Sequence, residues 1–288
     1  MNKIFGSIWH EFVYGGHLLS LGAAGIVWSV LILTNLSSGH VLLLLSYLVM
    51  QIIYSYDHLS EGESGASNVE RTAYLLKTRR KQIILLSAYI ILFLLLYFSV
   101  TKMAFLWALG IVLGGIFYTK KFKKLTGKIV GFKDFYVAVF WGLLVFLVPL
   151  QYSLFFNDSV FIWLFLFVFI RWIINTTFFD FKDIDGDRKM GLRTLPVVLG
   201  VHRTLVLLHF LNIISAVVLV SLFLGGVLPP YSGLWFLLIF YSGYYLLMGH
   251  KLMHHKLKDK SLRNLSYILV DAEYIFWPIL LFVGKVFF

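Results

Sequence analysis

Four of the chain's 14 acidic residues fall within eight positions, Asp180-Phe-Lys-Asp183-Ile-Asp185-Gly-Asp187. Asp180, Asp183 and Asp187 are spaced i, i+3, i+7, which on a continuous helix puts them on one face. Like charges stacked this way repel by roughly a few tenths of a kcal/mol per pair, so a cationic partner is expected. An all-oxygen donor set favours a hard cation, and Mg²⁺ is commonly held by one or two carboxylates together with substrate phosphates. Two other readings compete: a solvated acidic loop, and a calcium loop of the EF-hand kind. Asp183, Asp185 and Asp187 have the spacing that opens such a loop, but its twelfth position holds Thr194 instead of Glu.

A second cluster, Tyr54-Ser-Tyr-Asp57-His-Leu-Ser-Glu61-Gly-Glu63, is followed by Asn68 and Arg71. Asp57 and Glu61 are i, i+4 and share a face if the helix extends that far. Alone, this stretch reads as a polar helix end entering a loop. Paired with the first cluster it acquires a chemistry. Mg²⁺ ions between two carboxylate walls would neutralise a diphosphate and stabilise it as a leaving group. Lys and Arg would complete the clamp. Arg71, Lys123, Lys124, Arg188 and Arg193 are the candidates, and each also suits a topology or lipid-headgroup role.

The elements that position these residues are apolar. The chain is 60% hydrophobic and 14% charged with a mean hydropathy of +0.86, where a soluble domain carries about a quarter charged residues. Lipid must therefore face much of the surface. Apolar runs of spanning length lie near 17–36, 40–56, 82–101, 103–119, 135–152, 159–179, 203–227, 231–250 and 265–287. These runs predict nine transmembrane helices, an all-α polytopic membrane protein forming a single domain over 1–288. Strand periodicity is absent, which argues against a β-barrel. No cleavable signal-peptide pattern is read at the start, and without cysteine there is no thiolate or disulfide chemistry.

Of the 25 Lys and Arg, 22 fall at the N-terminus or in the segments after even-numbered spans. The positive-inside rule then places the N-terminus in the cytoplasm and the C-terminus outside, in the cell inner or plasma membrane. Both acidic clusters lie on the cytoplasmic side. The +11 charge is thereby explained by topology, and a nucleic-acid partner is not expected. Spans 2 and 6 each run into an acidic loop and spans 4 and 8 into a basic one, which suggests two four-helix halves and a final helix. Within that last span lie Asp271 and Glu273, which at i, i+2 cannot share a face. Charges at membrane depth suggest function. Acceptor binding or proton uptake is one reading, and a buried partner for Arg171 is the other. The nine histidines form no metal or haem pair within a span.

The stretch from Asp180 through Gly191-Leu-Arg-Thr194-Leu-Pro196-Val-Val-Leu-Gly200 resembles the second aspartate-rich motif of the UbiA prenyltransferase superfamily. Arg171 and Asn175 sit where that family often has polar residues. Tyr118-Thr-Lys-Lys-Phe-Lys-Lys-Leu-Thr-Gly127-Lys-Ile-Val-Gly131 resembles its basic loop after span 4, and the nine-helix bundle matches throughout. The first motif departs from the pattern. With Asn68 as anchor, Asp57 takes the usual Asn position, Glu61 the central Asp, and Gly65 the place of the last Asp.

The resemblance implies a reaction. A polyprenyl diphosphate sits with its head at the cytoplasmic rim and its tail in the bundle. Asp57, Glu61, Asp183 and Asp187, with Asp180, hold Mg²⁺. Asn68, Arg71, Lys123, Lys124, Arg188 and Arg193 bind diphosphate. The allylic cation alkylates a lipophilic acceptor, commonly the aromatic ring of a quinone precursor. Aromatic faces, with Tyr54 and Tyr56 nearest, shield the cation, and Tyr54 and Asp271 lie on the acceptor side. Two alternatives stand beside this: a non-catalytic lipid-binding relative, and a cation- or proton-coupled transporter, whose acids would sit at the midplane.

Overall fold

A computed structural model describes residues 3–36, 39–61, 74–154, 159–254 and 259–288. We number its helices α1 Lys3–Tyr14, α2 His17–Leu33, α3 His40–Glu61, α4 Arg79–Leu95, α5 Lys102–Lys120, α6 Phe132–Gly142, α7 Leu147–Tyr152, α8 Ser159–Asp180, α9 Ile184–Lys189, α10 Leu195–Leu199, α11 Val201–Leu224, α12 Phe236–His254, α13 Asp259–Asn264 and α14 Asp271–Phe287. No strand occurs among the described residues. Among the described residues, eight helical stretches are long and apolar enough to cross a membrane. The ninth, α2, has 17 residues, or about 26 Å of rise, and lines up with the first expected span.

Four of the nine are composite: 3₁₀ turns extend α4 at Leu96–Phe98 and lead into α12 at Pro230–Trp235, and two further spans are broken nearer the site. A 3₁₀ turn, Leu143–Phe146, joins α6 to α7. A π-helical turn, Leu265–Val270, leads into α14. The extra element is α1, whose mixed sequence ends at Gly15-Gly16, with Gly16 at φ +82°. A backbone turn in this region favours glycine. The Gln51 amide holds the turn by donating to the Gly15 carbonyl at 2.8 Å.

Large apolar side chains cover the outside, Ile84, Phe98, Phe210, Leu224 and Phe240 among them. Polar groups such as Arg171, Asn175, Asp271 and Glu273 are buried inside, the inversion expected when lipid is the solvent. The helices close a ring: α2 packs on α3, α3 on α4 and α5, α6 on α8, α8 on α11, and α11 on α12. The last helix, α14, touches both halves, α2 on one side and α12 on the other. Pro278 inside α14 cannot donate to the Tyr274 carbonyl four residues back. Gly25 of α2 approaches that carbonyl so closely that a Cβ there would stand 2.2 Å from its oxygen. Small residues permitting close helix approach are the usual packing device in membranes.

Four helices meet at a buried ionic network. Arg171 of α8 donates from Nε and Nη2 to Glu273 Oε1 of α14 at 2.8 and 2.5 Å, and from Nη1 to Asn212 Oδ1 of α11 at 2.6 Å. Tyr245 and Ser242 of α12 donate to Glu273 Oε2 and Asn212 Oδ1. The partner of Arg171 is therefore Glu273, while Asp271 faces elsewhere, as the i, i+2 spacing requires.

Candidate active site

The second acidic motif does not lie on one helix. Helix α8 ends at Asp180, a turn occupies 181–183, and α9 begins after Asp183. Asp180, Asp183 and Asp187 thus stand on a helix end, a turn and a short helix, instead of one stacked face. The turn bonds Asp183 N–H to the Asp180 carbonyl at 3.1 Å. Helix α9 ends where Gly191, at φ +69°, lets the Gly191 and Leu192 amides reach back to the Arg188 and Asp187 carbonyls, the Schellman pattern of a glycine-terminated helix.

The tail of the motif then binds the basic loop. Arg193 N–H donates to the Thr126 carbonyl at 2.9 Å, and Gly131 N–H to the Arg193 carbonyl at 3.1 Å. These two bonds clamp the segment between α5 and α6 against the acidic motif. Thr194 stands at the N-cap position of α10 but makes no cap bond. Its hydroxyl donates to Asp187 Oδ2 at 3.2 Å, which accounts for a threonine in the Thr-Leu-Pro tail.

The carboxylates are held in different ways. Asp180 is fully buried, and its Oδ1 accepts from Lys133 Nζ at 2.5 Å. Asp183 accepts from Lys182 Nζ at 2.5 Å, and that ammonium also sits over the rings of Phe179 and Tyr267. Burial pushes the Asp187 carboxyl up to about 6; Asp180 and Asp183 add to the rise, while Lys133 and the Thr194 hydroxyl oppose it. Asp185 is exposed.

Sequence reasoning missed Asp134. It lies on the first turn of α6, buried beside Asp180 and Thr176, and neither of its oxygens has a hydrogen-bond partner. Asp180 Oδ2 is likewise unpartnered. Lys133, read from sequence only as a loop base, is the cation that Asp134, Asp180 and Asp187 share.

On the first motif, Asp57 Oδ1 accepts from the Thr119 hydroxyl at 2.9 Å, with Lys123 Nζ at 3.7 Å. Tyr54, one turn deeper on α3, lies within electrostatic reach of Asp57, Lys133 and Asp271. It therefore sits among both acidic groups and the buried acid of α14. Lys120 lies over the Tyr56 ring at 5.6 Å. The Glu61 side chain, Glu63, Gly65, Asn68 and Arg71 fall outside the described residues. Of the other expected bases, Lys123 joins the site through Asp57. Lys124 and Arg188 are exposed, and Arg193 donates from Nη1 to the Lys128 carbonyl at 3.0 Å.

The donor set suits a hard divalent cation. It is all carboxylate oxygen, and three buried oxygens on Asp134 and Asp180 have no partner, a condition costly in a low dielectric unless a ligand satisfies them. Among the described residues no three acidic or imidazole side chains are gathered closely enough to hold a metal ion by themselves. A Mg²⁺ ion completes its shell with phosphate oxygens and water and needs no such cluster. Asp183 and Asp187, with the free oxygens of Asp180 and Asp134, are the groups available to it.

Comparison with solved structures finds the same bundle. A UbiA homologue from Archaeoglobus fulgidus bound to DMAPP and Mg²⁺ superposes with a TM-score of 0.62 at 17% identity, covering 92% of this chain and 98% of that one. The homologue bound to Cd²⁺ gives 0.60 at 18%, with the same coverage. A digeranylgeranylglyceryl phosphate synthase gives 0.59 at 16%, covering 98% of this chain and all of that one. At these identities the likeness establishes the fold. No curated protein sequence matches. The model of the UbiA prenyltransferase family matches residues 71–269. The chain is an integral membrane member of the UbiA prenyltransferase family.

Proposed function

We propose that the protein transfers a prenyl group from a prenyl diphosphate to a lipophilic, aromatic acceptor within the membrane, in a divalent-cation-dependent reaction. The observation that carries this reading is the meeting of Asp180, Asp183, Asp187, Asp134, Lys133 and the Asp57–Lys123 pair at one end of an apolar bundle. Carboxylates interleaved with ammonium groups suit a diphosphate and its counter-ions; a simple cation carrier has no use for the lysines. The family membership and the Archaeoglobus homologue's DMAPP and Mg²⁺ support the donor class.

In this reading Asp57, Glu61, Asp183 and Asp187, with Asp180, hold Mg²⁺, which when bound neutralises the departing diphosphate. Lys123 and Lys133 hold its oxygens, with Arg71, Asn68, Lys124, Arg188 and Arg193 available from the surrounding loops. The faces of Tyr54, Trp141 and Trp172 line the path of an allylic cation. The site lies on the cytoplasmic face, the N-terminus is cytoplasmic and the C-terminus outside, as the placement of Lys and Arg supports. A non-catalytic lipid-binding relative is favoured by one observation, Gly65 in place of an acid. The transporter reading loses support because Glu273, the deep acid, is consumed by Arg171.

Incubation of the purified protein with labelled prenyl diphosphates, Mg²⁺ and a membrane lipid extract tests the proposal. The expected result is a labelled, diphosphate-free lipid whose formation EDTA stops. Donor that binds but is never cleaved under any acceptor supply would establish the non-catalytic reading.

A further inference from the structure

At the end of the bundle opposite the carboxylates, α2 finishes and α3 begins, and a groove of about 330 Å³ opens between them. Trp28, Ile32 and Leu36 wall it from one side, and Gly39, His40 and Leu43 from the other. Leu31 forms part of the same wall and packs against Gly39, where a Cβ would stand 2.1 Å from Leu31 Cδ1. The volume is at the lower end of the roughly 300–1,000 Å³ that small-molecule sites span. From His40 to Asp57 the helix rises about 26 Å, so the groove is no part of the site described above.

This face of the bundle meets lipid. Trp28 is 44% exposed, and Leu21, two turns away on the same side of α2, is 39% exposed. A partner helix packing here would need a run of small residues along the bundle. The groove instead is confined to the end of α2 and the first turn of α3, and Trp28, Leu36 and Leu43 wall it. That shape suits a flexible acyl chain and leaves no bed for a helix.

The rim carries a fixed cation. Lys285, near the end of α14, donates to Asn35 Oδ1 at 2.9 Å and lies 5.9 Å from the centroid of the Tyr231 ring. Both anchors adjoin the groove. Asn35, held at φ +53°, immediately precedes Leu36, and the Tyr231 hydroxyl donates to the Ile32 carbonyl at 2.8 Å. Tyr231 is itself pressed onto α14, where a Cβ at Gly284 would stand 2.3 Å from the Tyr231 carbonyl oxygen. The ammonium is thus held in place without a ligand, which lowers the ordering cost of binding one. Positive charge is scarce here: of the 25 Lys and Arg, Lys102 and Lys285 are the two whose sequence positions fall at this end. His40 is exposed at the mouth and starts α3, whose first amides favour a phosphate.

We propose that the groove seats one acyl chain of an anionic phospholipid, whose phosphate meets Lys285, His40 and the start of α3. This lipid site is independent of the prenyltransferase reading.

Quenching of Trp28 tests it. The full-length protein is placed in phosphatidylcholine vesicles containing, at equal mole fraction, phosphatidylglycerol or phosphatidylcholine brominated midway along one acyl chain. The difference between wild type and Trp28→Phe isolates Trp28 among the eight tryptophans. The anionic lipid is expected to occupy the groove about fivefold more strongly than the zwitterionic one, which is what one lysine near a membrane surface contributes. Lys285→Gln should cut that ratio to below about twofold, and Lys285→Arg, which keeps the charge, should preserve it. Equal quenching by the two lipids, the mark of an annular lipid only, would overturn the proposal. So would a ratio that survives Lys285→Gln, or no quenching of Trp28 by either lipid. Should Lys285→Gln fail to fold, the comparison of the two lipids on the wild-type protein decides.

Discussion

Replacing Glu273 by Gln removes one charge from the interior and almost no volume. Arg171 keeps its bond to Asn212 and can still donate to the new amide oxygen, so the variant isolates the ionic contribution. The guanidinium is fully buried and meets Glu273 Oε1 through two nitrogens at 2.8 and 2.5 Å. With charge centres ~4 Å apart and an effective dielectric of ~20, their attraction is roughly 4 kcal/mol. Measured costs of breaking buried pairs are about 3–5 kcal/mol, because the surviving charge is left uncompensated. We expect Glu273→Gln to cost about 3 kcal/mol, more than a hundredfold in the unfolding equilibrium. Arg171→Met together with Glu273→Met should return to within about 1 kcal/mol of wild type, since apolar replacements of a whole pair are often neutral. Unfolding in mixed micelles titrated with SDS measures both. A cost below about 0.5 kcal/mol for Glu273→Gln, or a double variant as unstable as the sum of the singles, would refute the view that this network braces the helix carrying the second acidic motif.

Three further outcomes are expected. Asp183→Asn and Asp187→Asn should each lower diphosphate release by about two orders of magnitude or more, as loss of an electrostatic stabiliser does, while circular dichroism and unfolding stay near wild type; normal turnover in either variant sinks the assignment. Gly25→Ala drives a Cβ to within 2.2 Å of the Tyr274 carbonyl oxygen, backbone against side chain with no room to yield, and should cost about 1–3 kcal/mol; Gly110→Ala, with nothing within 4 Å of its Cβ, should be neutral in the same assay. Burial alone would push the Glu11 carboxyl up, but hydrogen bonds from His17, Lys81, Tyr74 and Gln82 hold it well below its ordinary value of 4.5. Its lowered folded value means the stabilisation is whole above 4.5 and lost as pH falls below that towards the folded value. Protection of α1 from proteolysis should therefore be flat from pH 8 to 5 and fade only in stronger acid, whereas loss between pH 7 and 5 would mean that another group controls the docking of α1.

Much of this architecture is legible in the residues themselves. Lipid-facing helices must be apolar, so the nine spans stand out. The i, i+2 spacing of Asp271 and Glu273 already separates their roles, and Glu273 does meet Arg171. The break at 181–183 is invisible in sequence because Phe181-Lys182-Asp183 holds neither proline nor glycine; the tertiary bond from Lys133 to Asp180 fixes the helix end where the turn begins. A span starting at 135 leaves Lys133 and Asp134 outside the membrane helix, whereas α6 starts at Phe132 and carries both into the site. In a segment that carries six lysines between 120 and 133, no pattern marks Lys133 as different from Lys128. The π-turn and the Trp141–Trp172 stack depend on how helices distant in sequence meet, which periodicity within one helix does not encode.

The central claim is that one end of this bundle holds a prenyl diphosphate through carboxylate-bound cations. Equilibrium binding of labelled dimethylallyl diphosphate to the purified protein, with Mg²⁺ and with EDTA, tests it most directly. Saturable binding that requires Mg²⁺ and is lost in Asp187→Asn is the expected result. Binding that ignores EDTA, or that survives intact in Asp187→Asn, would contradict it.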